Sequence, residues 1–98
     1  MDKMNFEWDE AKRKLNLRKH GIDFDDVSPI FNAPMLTALD TREDYGEDRW
    51  FGIGIVRNIV VVIAFTEREN DKIRIISARK ATKNERQEYD KKIKDKLG

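Results

Sequence analysis

The sequence predicts an α+β fold: two N-terminal helices, a four-stranded, mostly antiparallel sheet and a C-terminal helix. Three observations predict it. Apolar residues gather in short bounded runs such as IVVVIAF at 59–65, which suits strands better than helices. Helix-capping residues stand near both ends of the chain. Between the apolar runs lie polar connections of hairpin length.

Asp9 caps a first helix through EAKRKLNLRKH, which Gly21 stops. Ala11 and Leu15, with Arg18 or Lys19, supply its inward face, and Phe6 and Trp8 help to anchor it. In DFDDVSPIFN, Phe24, Val27, Ile30 and Phe31 recur at helical spacing, with Pro29 keeping this second helix short or standing in its first turn. A first strand is expected at Met35–Leu39, followed by the charged loop DTREDYGED. A second, RWFGIGIV at 49–56, alternates so that Gly52 and Gly54 share one face. Those glycines admit a close backbone or a bound chain, or mark a bulge. Arg57-Asn58 forms a tight turn into a third, central strand (59–66), and ERENDK leads to a fourth, Ile73–Ala78. Thr82 and Glu85 make a capping box for a last helix to about Lys94. Helices are expected to cover one sheet face, leaving the other partly open.

With 98 residues, one domain spanning 1–98 is expected. Charged residues make up 40% and hydrophobic residues 39%, so much of the surface carries charge. Cysteine is absent, which excludes disulfides and thiolate chemistry, and the single histidine, His20, argues against a zinc site. No cofactor is indicated. No stretch has the apolar length to cross a membrane, and MDKMNFEWDE has no signal-peptide core, so a cytoplasmic location is expected. Charge is uneven: residues 21–50 carry eight acidic and two basic groups, whereas 79–98 carry eight basic and four acidic. That asymmetry suits steering of a nucleic acid to one side of the molecule and a basic partner to the other.

The arginines raise the question of chemistry. Strict alternation places Arg74 with Ile76 and Ala78, and Ser77 and Arg79 on the Ile73/Ile75 side. With Arg49 and Arg68 at neighbouring strand ends, the fold can gather guanidiniums along one edge or open face. Such groups suit phosphate oxygens, or form internal pairs with Glu47, Asp40 or Glu85. His20 can exchange a proton near neutrality, or simply favour the end of its helix. Glu47, two residues from Arg49, can act as a base but is better suited to orienting the arginine. Tyr89 can meet phosphate or a base, or anchor the last helix. Two functions follow: metal-free RNA cleavage by the ribose 2′-hydroxyl, or a non-catalytic binding module within a DNA-bound transcriptional regulatory complex.

FEWDEAKRKLNLRKHGIDFDDVSPIF, YGEDRWFGIG, VVVIAFTER and IRIISARKATKNERQEY together resemble the BrnT toxin family over nearly the whole chain. The resemblance implies a RelE-like ribonuclease toxin that inhibits translation, in a bacterial type II toxin–antitoxin pair. It implies a BrnA-like ribbon-helix-helix antitoxin, a heterotetramer of two toxins and two antitoxins, and operator DNA bound through the antitoxin. Lys19-His20-Gly21 matches the family's KHG, and Gly46-Glu47 with Arg49 its GExR. Arg68 matches the arginine after the third strand; Arg74, Ser77-Ala78-Arg79, Glu85-Arg86 and Tyr89 match the last signatures. The catalytic residues expected are Arg68, Arg79, His20, Lys19 and Glu47; Arg49, Arg74, Arg86 and Tyr89 are expected to bind RNA. Ser28-Pro29 departs from an ordinary helix former in the second helix.

Overall fold

The computed structural model describes residues 5–97, so the expectation drawn from MDKMNFEWDE falls partly outside them. The elements are β1 (Asn5–Glu7), α1 (Glu10–His20), two 3₁₀ turns (Phe24–Asp26 and Ser28–Asn32), β2 (Leu36–Leu39), β3 (Trp50–Val56), β4 (Ile59–Arg68), β5 (Lys72–Lys80) and α2 (Lys83–Leu97). The strands form one sheet of order β1-β5-β4-β3-β2, with β1 parallel to β5 and every other pair antiparallel. The sheet therefore has five strands, not the expected four. β1 escapes sequence patterning because three residues carry no period, and its partner lies at the other end of the chain.

The second expected helix is two 3₁₀ turns. A 3₁₀ helix has three residues per turn, so Phe24, Val27 and Ile30 fall in line and all reach 0% exposure. Pro29 stands at the start of the second turn, where its missing N–H is harmless. Around them the core takes Val61, Ile63 and Phe65 of β4 and Ile73, Ile75 and Ala78 of β5. Phe31 packs between Phe6 (5.2 Å) and Phe65 (5.0 Å), and Trp8 stands edge-on to Phe24.

α1 begins and ends as expected. The Asp9 carboxylate accepts from the backbone N–H groups of Ala11 and Lys12, and Gly21, at φ 71°, donates to the Leu17 carbonyl. Its inward face is not the expected one. Leu15 is 57% exposed and Ala11 is exposed too, whereas Asn16 is buried and Arg13 and His20 are half-buried. Residues 13, 16 and 20 form the inward stripe because a polar group is needed there. β1 pairs only with Lys72–Arg74, leaving the rest of that edge of β5 without a strand. The Asn16 side chain fills in: its amide donates to the carbonyls of Ala78 (2.8 Å) and Ile22 (2.9 Å), and its oxygen accepts from the Ala78 N–H (3.1 Å).

The expected tight turn is present, with Arg57 at φ 50° and Asn58 at φ 67°, the positive pair of a two-residue hairpin loop. Gly52 and Gly54 receive the molecule's own side chains rather than a bound chain. A Cβ at Gly54 would collide with Cγ2 of Ile30, and one at Gly52 would lie 2.8 Å from Sδ of Met35. Gly54→Ala is expected to lower stability by about 1–3 kcal/mol through overpacking, read as a fall in the urea midpoint at unchanged slope.

Thr82 and Glu85 form the expected capping box: the Glu85 N–H donates to Thr82 Oγ1 (3.2 Å) and the Thr82 N–H to Glu85 Oε1 (2.8 Å). The helices do not share one face. Asn84, Glu85, Glu88 and Lys92 of α2 form a cleft with Phe51 and Ile53 of β3, side chains that alternate away from the Gly52/Gly54 face. α2 thus lies over the opposite face, anchored by Tyr89, which is 4% exposed and donates to the Pro34 carbonyl at 3.0 Å.

Candidate active site

A β-bulge decides where the arginines go. Along β4 and β5, Thr66 pairs with Arg74 and Phe65 with Ile75, but Ala64 pairs with Ser77, so Ile76 is the extra residue. Residues opposite one another share a face, and β4 alternates without interruption through Val62, Ala64, Thr66 and Arg68. Their partners Arg79, Ser77, Arg74 and Lys72 therefore all lie on one face. Strict alternation had separated Arg74 from Arg79; the bulge reverses that, and returns Ala78 to the core side. Arg49, beside Trp50, adds a further guanidinium at the Thr66 level, where Thr66 Oγ1 donates to the Asp48 carbonyl (2.7 Å).

Each guanidinium on this face is held by a carboxylate. Glu47 serves both Arg49 and Arg68, at 3.4 Å each. Arg49 also covers the Tyr45 ring at 4.1 Å. Arg74 binds Glu7 of β1 at 2.7 Å. Arg79 is bidentate to Glu85, at 2.8 and 2.9 Å. In the β2–β3 connection Arg42 is bidentate to Asp40, at 3.0 Å twice. These pairs are partly exposed and add little to stability. Their consequence is orientation, since a guanidinium carries five N–H donors and a carboxylate partner occupies at most two of them.

The face has two ends. Arg68 with Glu47 and Lys72 lies beside an open depression of about 700 Å³ that also reaches Glu7, Trp50 and Thr66. Arg79 pairs with Val62, six residues from Arg68 along β4, which is roughly 20 Å of strand. One phosphate cannot engage both backbones' arginines at close range, so the expected catalytic set divides. Lys19 is exposed and His20 half-buried at the end of α1. α1 follows β1, paired at Arg74, and by Asn16 has reached Ala78, so His20 lies one turn beyond, towards the Arg79 end. Arg86 is exposed and lines a separate hollow with Lys80 and Asn58. Tyr89 is buried beneath α2, the anchoring placement.

The Arg79 hydrogen bond is the main cause that holds the Glu85 carboxyl down at about 2, helped by the Thr82 N–H, and Glu85 in turn raises the Arg79 pKa. A depressed carboxyl stabilises the fold above its unfolded value of 4.5 and loses that contribution as pH falls towards about 2. Glu85→Gln, which keeps the capping geometry, is expected to flatten the stability–pH curve between those values in acid titration followed by circular dichroism.

Reading the sequence offered Asp40 as an ion-pair partner but missed Arg42, although their two-residue spacing repeats that of Glu47 and Arg49. It also missed Glu7, because β1 was not recognised. Among the described residues, no group of three or more histidine or acidic side chains is placed to hold a metal ion. No helix among them is long and apolar enough to cross a membrane.

A comparison with curated proteins finds no match. A family model described as "Ribonuclease toxin, BrnT, of type II toxin-antitoxin system" matches residues 8–85. Among solved structures, the 1.1 Å crystal structure of the Brucella abortus ribonuclease toxin BrnT is similar to this chain at 29% identity and a TM-score of 0.65. The match covers 83% of this chain and all of that one. The RelE-like α+β expectation thus holds in a five-stranded form, and its cationic face has a biochemical context. This chain belongs to the BrnT family of ribonuclease toxins of type II toxin–antitoxin systems.

Proposed function

We propose that this toxin binds single-stranded RNA on the part of the β4 face that α2 leaves open, beyond buried Val62, and cleaves it beside Arg79 with its own side chains and no metal. The observation that carries this reading is the alignment of Arg79, Arg74, Lys72 and Arg68 on one face by the Ile76 bulge. In the reaction the ribose 2′-hydroxyl loses its proton and its oxygen attacks the adjacent phosphorus. The bond to the 5′-oxygen breaks, that oxygen takes up a proton, and a 2′,3′-cyclic phosphate remains. Arg79 stabilises the charge that develops on the phosphoryl oxygens, in an orientation set by Glu85. His20 moves the proton and Lys19 supplies electrostatic support. Their position one turn past Asn16 favours the Arg79 end over the Arg68 end.

Arg68, Arg49 and Arg74 grip the backbone at the far end, with Glu47 orienting the first two. Arg86 adds an outlying contact, and Tyr89 supports α2 rather than touching RNA. The chain acts as one domain, 1–98, in the cytoplasm. Its BrnA-like ribbon-helix-helix antitoxin assembles with it as two toxins and two antitoxins, and carries the complex to operator DNA.

The test is incubation of the purified chain, freed of antitoxin, with single-stranded RNA in excess EDTA. Fragments ending in a 2′,3′-cyclic phosphate are expected. Cleavage that requires added magnesium, or growth arrest by the chain without any RNA cleavage, overturns this mechanism.

A further inference from the structure

Arg42 is an exposed guanidinium that the fold takes trouble to hold still. Its carboxylate partner Asp40 retains only 3% side-chain exposure, while 69% of the Arg42 side chain is open. Asp40 accepts from the Arg42 backbone N–H (3.1 Å), Nε (3.0 Å) and Nη2 (3.0 Å), and from the Tyr45 hydroxyl (3.2 Å). Those donors, the Arg42 side chain foremost, keep the Asp40 carboxyl at about 2, so it stays anionic. The guanidinium also lies 4.8 Å from the centre of the Phe51 ring. A surface arginine with no task ordinarily samples many rotamers, and fixing one costs side-chain entropy. Here a buried carboxylate, a tyrosine and an aromatic ring fix it with its remaining N–H groups outward.

Its place is on the cationic face. Phe51 pairs with Ala64, and Ala64 with Ser77, two residues along β4 from the Val62–Arg79 pair. The charge of Arg42 reaches Arg79, where it opposes the effect of Glu85. Arg42, over Phe51, and Arg79, held by Glu85, stand on either side of the small side chains of Ala64 and Ser77, which suits an anion between them.

We infer that Arg42 is a substrate-binding residue that contacts an RNA backbone phosphate next to the one held by Arg79, with Asp40 as its positioning residue. This rests on the ribonuclease mechanism proposed above. The probe is a 2′-O-methyl RNA decamer, which lacks the attacking hydroxyl, titrated against the full chain at several salt concentrations. Arg42→Gln is expected to weaken binding about tenfold, the loss of one charge-assisted contact. It should also reduce the slope of log K against log salt by about 0.7, one phosphate on a single strand. Asp40→Asn should weaken binding while leaving the slope unchanged. Arg57→Gln removes an equal charge from the β3–β4 turn, where Arg57 pairs with Asp26, and should change neither quantity.

Folded Arg42→Gln protein with wild-type affinity and slope overturns the assignment, as does an equal loss in Arg57→Gln. A wild-type chain that neither binds the decamer nor cleaves the corresponding RNA overturns the ribonuclease mechanism and this inference together.

Discussion

Arg79→Ala is expected to lower RNA cleavage by about 100- to 1,000-fold, the range for losing a preorganised donor to developing charge. Arg79 meets the requirements better than its neighbours do. It stands near the end of β5, its guanidinium is fixed bidentate by Glu85, and it is 40% exposed, so substrate can reach it. The loss should appear mainly in kcat, because the other arginines still hold the strand. Arg79→Lys keeps the charge but not the fork, and should recover only part of the activity. Glu85→Gln separates orientation from folding. Glutamine still serves the capping box with Thr82, so a fall of about tenfold in a folded variant would isolate the carboxylate's hold on Arg79. Because the pair is partly exposed, none of these three substitutions should cost more than about 1 kcal/mol of stability. Unchanged cleavage by folded Arg79→Ala protein would move the reaction to the Arg68 end of the face.

Much of this architecture is legible in the chain. The capped helices, the Arg57-Asn58 turn and the strands from 36 to 80 are carried by short-range signals, and each element appears within a few residues of its expected bounds. What escaped depends on long-range partners. Asn5–Glu7 becomes a strand only because β5 is there to pair with it. The Ile76 bulge has no residue of its own to announce it, since Ile-Ile-Ser reads as uninterrupted strand. Its effect on the site is nonetheless decisive, because one extra residue exchanges the faces of everything beyond it. A shared edge or face for Arg49, Arg68 and Arg79 was legible, whereas the place of Arg74 on it was not. The inward side of α1 was misjudged for a related reason. Hydrophobic periodicity looks for leucine, but the edge of β5 needed an amide.

Asn16→Ala is expected to destabilise the fold by about 3 kcal/mol, the scale for leaving buried backbone groups without partners. The substitution strips the Ala78 N–H, the Ala78 carbonyl and the Ile22 carbonyl of their side-chain partner at once. In a domain of this size each kcal/mol is worth roughly 4–8 °C, so the unfolding midpoint should fall by about 12–24 °C. Asn16→Asp is an instructive companion. It keeps an acceptor for the Ala78 N–H but turns an oxygen towards two carbonyl oxygens, and should be no more stable than the alanine variant. Leu15→Ala provides the contrast, because Leu15 is 57% exposed and its truncation should fall within about 0.5 kcal/mol of neutral. Sequence periodicity alone ranks the two in the opposite order, so the pair discriminates between the inward faces. A functional consequence follows from position. Asn16 grips the residue immediately before Arg79, and His20 lies one turn beyond it on the same helix. Loosening that grip should lower cleavage by more than the unfolded fraction accounts for, measured at a temperature where the variant is still folded. A Leu15→Ala protein less stable than Asn16→Ala would place the apolar side of α1 inward after all.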